Sequence, residues 1–408
     1  MKIVDVAEFY AELGGGVRTY INQKLEAGAQ AGHEVVVIAP GPEDGEEERL
    51  GGRICWVKGP PMPLDPRYYV LWREGAVHRI LDREAPDLVE GSSPWSGGWF
   101  VARWPGSAVK TFIFHQDPVA VYPQTFLGHR LGIDRVDRMF GWYWAYLRRL
   151  SAHFDATVVS GEWLGEKLTR FGLRRAEAVP FGIDKAQFSP SRRDAVVRKQ
   201  MLERCGLGEE ASLLVTISRF HPEKRLGTLL AAFGRASTTR PMGLVIYGDG
   251  PLRSWINRNA ARVPGVHVAG FVADRDEVAT SLASADAMLH GSAAETYGLV
   301  VAEAVCSGLP IIVPNHGGAA DLADPSYAET YAPGDVAGCS AAIEALLDRE
   351  RDALVAGCAR AELAAPSRMP SRQATIIARG STVLLFAFMS DQSPHIAAAP
   401  ATCILQGA

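Results

Sequence analysis

An α/β architecture in two domains, each built on a parallel sheet covered by helices, follows from three observations. Short apolar runs alternate with longer amphipathic stretches along most of the chain, the βαβα pattern of parallel sheets. The 408 residues exceed what one ordinary core holds and suit two domains of about 150 to 200 residues each. A composition of 47% hydrophobic and 22% charged residues is that of a globular chain with a packed core, not of a disordered or fibrous one.

In the first half the strand candidates are residues 2–7, 34–39, 88–90, 110–115 and 157–159. In the second they are residues 212–218, 243–247, 267–269, 287–290 and 310–313. Between the sets, residues 181–198 are polar and broken by Pro190, which reads as a linker and places the domains at 1–185 and 186–365. Residues 335–365, rich in Ala, Leu, Glu and Arg, read as two closing helices. Residues 366–408 differ in character: they hold three Arg, one Asp, no Lys and no Glu. Pro366, Pro370, Pro394 and Pro400 interrupt any long helix there, and a poorly ordered tail is expected.

A net charge of −4 gives no global case for nucleic acid. The six cysteines show no Cys-x-x-Cys and no metal-ligand spacing with histidine, so reduced thiols and a cytoplasmic protein are expected. Met1-Lys2-Ile3-Val4-Asp5-Val6 reads as a first strand and lacks the uninterrupted apolar core of a signal peptide. No apolar run approaches the ~20 residues of a membrane span.

Three constellations carry chemistry. Gly14-Gly15-Gly16 follows the first strand and precedes an amphipathic stretch; glycines at such a turn admit a ligand close to the backbone and to helix-terminal N–H groups. Ser218-Arg219-Phe220-His221-Pro222-Glu223-Lys224 lies at the carboxyl end of a strand, where open sheets bind ligands, and its guanidinium and ammonium suit a diphosphate. The segment from Gly291 to Glu303 brackets a turn and a helix start between Glu295 and Glu303. With a helix beginning near Leu299, the N–H groups of Gly298 to Val300 are left for phosphate or a sugar hydroxyl. Taken singly, solvated surface charge explains the arginine, the lysine and the glutamates as well.

In this order the motifs resemble those of the retaining GT-B glycosyltransferases of family 4. Glu295 to Glu303 matches the family's Glu-x7-Glu, and Ser218-Arg219 through Lys224 is similar to its Gly-Arg-x4-Lys donor loop. Gly248-Asp249-Gly250-Pro251 matches its Gly-Asp-Gly-Pro loop, and Gly270-Phe271 its base-binding Gly-Phe. The pattern spans residues 2 to about 349. The resemblance implies a GT-B fold, two Rossmann-like domains facing a central cleft, and transfer of a hexose from a UDP- or GDP-sugar to an acceptor hydroxyl with retention. It makes His115, Arg219, Lys224 and Glu295 the catalytic set, His115 as a contact of the transferred sugar. Gly15, Gly16, Gly248, Gly250, Gly270, Phe271, Tyr297, Gly298, Leu299 and Glu303 become donor-binding, Glu303 towards the ribose. The sequence departs from the pattern at Ser218 and Arg225, where glycines are usual, at Gly291-Ser292 in place of Pro-Ser, and at Phe181 in place of Asn. The tail also lacks the helix that crosses back to the first domain in such enzymes.

No cofactor and no essential metal are expected: Asp274-Arg275-Asp276 matches Asp-x-Asp but falls in an expected loop without a supporting ligand. The acceptor is a glycan, lipid-linked or small-molecule hydroxyl. Residues 139–150, with Trp142, Tyr143, Trp144, Tyr146, Arg148 and Arg149, carry aromatics nearly all round a helix. That favours a buried or acceptor-groove helix over a weak membrane-surface association at the inner membrane face. The alternatives on this scaffold are a nucleotide-sugar epimerase and a non-catalytic sugar-nucleotide-binding homologue.

Overall fold

A computed structural model describes residues 1–11, 16–62, 65–173 and 176–363. Gly14, Gly15 and the tail at 366–408 lie outside the described residues. The chain begins β1 (Lys2–Val6), α1 (Gly16–Gln30), β2 (Glu34–Gly41), β3 (Gly45–Arg49), β4 (Gly52–Lys58), β5 (Pro61–Met62), β6 (Asp65–Tyr69), α2 (Glu74–Glu84) and β7 (Leu88–Gly91). It continues α3 (Ser96–Arg103), β8 (Val109–Phe114), α4 (Thr125–Leu131), α5 (Ile133–Met139), α6 (Gly141–Ser151), β9 (Ala156–Val159), α7 (Glu162–Arg170) and β10 (Ala176–Ala178). The large sheet of this half has the order β10-β9-β8-β7-β1-β2-β4-β3 and is parallel but for the β3/β4 pair.

The second half runs α8 (Ala195–Arg204), β11 (Ser212–Ile217), α9 (Leu226–Ala236), β12 (Met242–Tyr247), α10 (Arg253–Ala260), β13 (Val266–Gly270) and α11 (Arg275–Ser284). Then come β14 (Ala287–Leu289), α12 (Leu299–Cys306), β15 (Ile311–Pro314), β16 (Ala328–Tyr331), α13 (Val336–Leu347) and α14 (Arg351–Arg360). Its sheet is wholly parallel, in the order β13-β12-β11-β14-β15-β16. Strands covered on both faces become continuous apolar runs, as Val35 to Ala39 at 0–1% exposure illustrate.

Three features are not visible in the sequence. The acidic Glu46-Glu47-Glu48-Arg49 run is a strand, β3, at the open edge of the first sheet; charge is tolerated there because it deters pairing with another chain, and Glu46 is matched by Arg53 and Arg83. The polar linker is anchored by apolar side chains: Phe181, Ile183 and Phe188 are 9%, 2% and 2% exposed. They join one hydrophobic cluster that runs from Tyr20, Ile21 and Leu25 on α1 to Val301 and Val305 on α12. Burial of one such side chain contributes roughly 1.5–3 kcal/mol, so this linker is a packed bridge. Finally, Arg275 and Asp276 lie in α11 and not in the expected loop, which ends at Asp274. Asp274 caps α11, its Oδ1 accepting the Asp276 N–H at 2.8 Å, which is the ordinary work of an Asp at that position.

Candidate active site

β1 lies between β2 and β7, and β11 between β12 and β14, so each is the strand from which its sheet winds in both directions. Beyond the carboxyl ends of such strands lies the ligand crevice of open parallel sheets. After β11 the chain passes Ser218 to His221, makes a 3-10 turn at Pro222–Lys224 and enters α9 through Arg225 at φ +46°. Phe220, fully buried, pins this loop. The loop after β12 is laced to it: Phe220 N–H donates to Asp249 O at 2.8 Å, and Leu252 N–H to Phe220 O at 3.1 Å. Glycine is needed at 248, since its φ is +137° and a Cβ would lie 1.8 Å from Ser218 O. Gly248 N–H in turn donates to Gly270 O at 2.8 Å. The loops after β11, β12 and β13 therefore form one tier, which holds Gly248, Gly250 and Gly270 together with Arg219 and Lys224. Phe271 stands at its rim, 72% exposed.

Lys224 Nζ donates to Glu295 Oε1 across 71 positions of sequence, with side chains 15% and 20% exposed. Burial raises the Glu295 carboxyl, but the ammonium of Lys224, with His290 and Arg219, outweighs it and holds the group below its ordinary value. His290, 1% exposed, lies 3.6 Å from the same oxygen; burial lowers it to about 4, so it is neutral at pH 7. Arg219 is 59% exposed and lies 3.7 Å from the buried Glu223, which also takes His221 Nδ1. The two cations expected to share a diphosphate are thus each oriented by a carboxylate of their own. His290 and Glu223 were not singled out from sequence; their only signal was adjacency to the donor motifs.

α12 starts where expected, at Leu299. Gly298 precedes it at φ +93° and no side chain caps the end. Val301 and Ala302 N–H both donate to Gly298 O, at 2.9 and 3.0 Å, so the helix leaves the N–H groups of Gly298, Leu299 and Val300 to other acceptors. Such an end favours an anion. Tyr297 turns inward: it is 4% exposed and its ring lies 5.4 Å from that of Phe181, so its side chain is a wall and only its backbone borders the turn.

His115 ends β8. Its carbonyl accepts Thr296 Oγ1–H at 2.9 Å, which brings it beside the Glu295 turn. Its ring meets Tyr20 edge-on at 4.6 Å, and its Nε2 is buried with no partner among the described residues. Burial lowers it to about 4, which makes it a neutral hydrogen-bonding group at pH 7. Beneath it Lys24 joins Asp5, at 2.7 Å, and Glu90, and its ammonium lies 5.1 Å from the Tyr20 ring centre. Gly16 opens α1. Glu303, one turn into α12, is 5% exposed and paired with Arg275.

Among solved structures the chain is similar to sucrose-phosphate synthase from Thermosynechococcus elongatus, with a TM-score of 0.73, 18% identity, and 93% of this chain and 100% of that one covered. It is also similar to Anabaena HepE in complex with UDP and glucose, with a TM-score of 0.70, 16% identity, and 93% and 99% covered. The fold and the facing loop edges define a GT-B glycosyltransferase. Family models agree on both halves: Glycosyltransferase Family 4 matches residues 14–187 and Glycosyl transferases group 1 matches residues 211–349. A GDP-mannose-dependent alpha-mannosyltransferase of Mycobacterium tuberculosis is 31% identical, with 80% of this chain and 82% of the relative covered. A GDP-mannose-dependent alpha-(1-6)-phosphatidylinositol dimannoside mannosyltransferase from the same species is 29% identical, with 77% and 79% covered. The chain belongs to glycosyltransferase family 4.

Proposed function

We propose that this glycosyltransferase moves a hexose from a UDP- or GDP-sugar to an acceptor hydroxyl with retention at the anomeric carbon and without an essential metal. The observation that carries the reading is the Lys224–Glu295 pair beside the uncapped start of α12. A diphosphate there meets an ammonium and helix-terminal N–H groups, and Glu295 is left to accept from the sugar. Preorganised positive charge of this kind stabilises a departing diphosphate as a metal ion would. Retention rests on family membership, and the mannosyltransferase relatives make GDP-mannose the first donor to test.

The purified chain should consume one sugar of a UDP- and GDP-hexose panel only when acceptor is present. NMR of the product should show the donor's anomeric configuration, and EDTA should leave the rate largely intact. Inversion, donor conversion without acceptor, or full loss to EDTA with rescue by manganese would each refute its part of the proposal.

The acceptor is proposed to be lipid-linked and met at a membrane surface. α4 has no buried side chain and exposes Phe126 (57%), Leu127 (38%) and Leu131 (37%). Met139 and Trp142 stand out beyond it, and Arg130, Arg135 and Arg138 are exposed on the same segment. An apolar and basic surface of this kind suits an anionic bilayer. The inward face of α6, with Tyr143, Trp144, Leu147 and Leu150 buried, leaves this role to α4 and α5. No described helix is long and apolar enough to cross a membrane. Co-sedimentation with anionic vesicles should exceed that with neutral ones and fall when Phe126 and Leu127 become Ser; equal binding to both vesicles, or none, would contradict it.

A further inference from the structure

The Asp274-Arg275-Asp276 run sets Arg275 against α12 and the interdomain bridge. Its Nη2 donates to Glu303 Oε1 at 2.5 Å, and its guanidinium lies 4.8 Å from the ring centre of Phe188 in the interdomain bridge. Asp276, next along α11, ties the same bridge through Gln187 Nε2 at 3.3 Å and Arg192 at 3.2 Å. Glu303 and Arg275 line a cavity of about 370 Å³ whose other walls are Thr19 and Gln23 of α1 and Gly182 and Gln187 of the bridge. Its size falls within the range of ligand pockets, about 300 to 1,000 Å³.

We propose that Arg275 is a positioning residue for the donor nucleoside: clamped between Glu303 and Phe188, it aims the Glu303 carboxylate into this pocket between the domains. The proposal rests on the reading of Glu303 as the acceptor for the ribose hydroxyls. A carboxylate with one oxygen held by a guanidinium keeps the lone pairs of the other for an incoming hydroxyl. Arg275 is half exposed, so it is available to a fold-preserving substitution. Burial raises the Glu303 carboxyl above its ordinary value, and Arg275 opposes the rise. The other ionisable groups lining the pocket are Glu26 on α1 and Asp184 on the bridge, while Lys185 and Glu303 both act on Cys306 of α12.

The test is calorimetric titration of the full chain with UDP and with GDP, from about pH 5.5 to about pH 8.5, for the wild type, Arg275→Ala, Arg275→Lys and Glu303→Gln. A carboxylate that must be ionised to bind loses affinity as pH falls through its folded pKa, and removing Arg275 moves that pKa up. The expected result is a loss of about tenfold in affinity for Arg275→Ala near neutral pH, shrinking as pH rises. Arg275→Lys should return the pH midpoint most of the way, and Glu303→Gln should abolish the pH dependence and any further cost of Arg275→Ala. A uniform, pH-independent loss, or wild-type affinity in Arg275→Ala, overturns the positioning role while leaving the donor site intact. A wild type that binds neither nucleotide overturns the donor-site reading itself.

Discussion

Lys224→Ala lowers kcat/KM for the sugar donor by about a hundredfold, the equivalent of about 2.7 kcal/mol. The substitution removes a charge-assisted contact to the diphosphate, worth roughly 1.5–3 kcal/mol. It also strips Glu295, only 20% exposed, of its counter-charge. The main opposition to burial is then lost, and the carboxyl rises, so the residual activity should recover as pH is raised. Arg219→Ala, which removes a 59% exposed group already tied to Glu223, costs less, about tenfold. Steady-state kinetics with saturating acceptor measure both; wild-type kinetics in Lys224→Ala would remove the donor site from this loop.

Glu295→Gln is expected to behave differently. The amide keeps the size of the side chain but no longer neutralises Lys224, so affinity for nucleoside diphosphate holds or rises while kcat falls about a hundredfold. Such a split follows if Glu295 accepts from the sugar in the transition state and its bond to Lys224 only holds it in place until the donor binds. Unchanged kcat would reduce Glu295 to a counter-ion. The double variant with Lys224→Ala should cost less than the two losses combined, because residues in contact are not additive.

The strand pattern was legible because parallel strands covered on both faces must be apolar, and every strand core named from sequence is a strand in the structure. β3 was not legible: an edge strand faces solvent and can be built of Glu and Arg, which no periodicity reveals. β10 and β16, of three and four residues, each carry a Glu and no aliphatic run, so nothing in them marks a covered strand. The burial of Phe181, Ile183 and Phe188 was hidden in the same way, since isolated apolar residues in a polar stretch signal packing only once a partner surface exists.

At the site, the sequence by itself determined the residue types and their loops. The Arg219–Lys224 loop, the helix start at Leu299 and the glycines at 248, 250 and 270 are local features, set by turn chemistry and helix ends. Only the tertiary structure decided who meets whom. The contacts of Lys224 with Glu295, Arg275 with Glu303 and Thr296 with His115 join positions 71, 28 and 181 residues apart. The sequence expectation left Arg219 and Lys224 as open cations; the structure gives each a carboxylate. The physical reason is that a charge withdrawn from water needs a counter-charge or hydrogen-bond partner, and that partner is whichever group the fold brings within reach, a quantity with no sequence period.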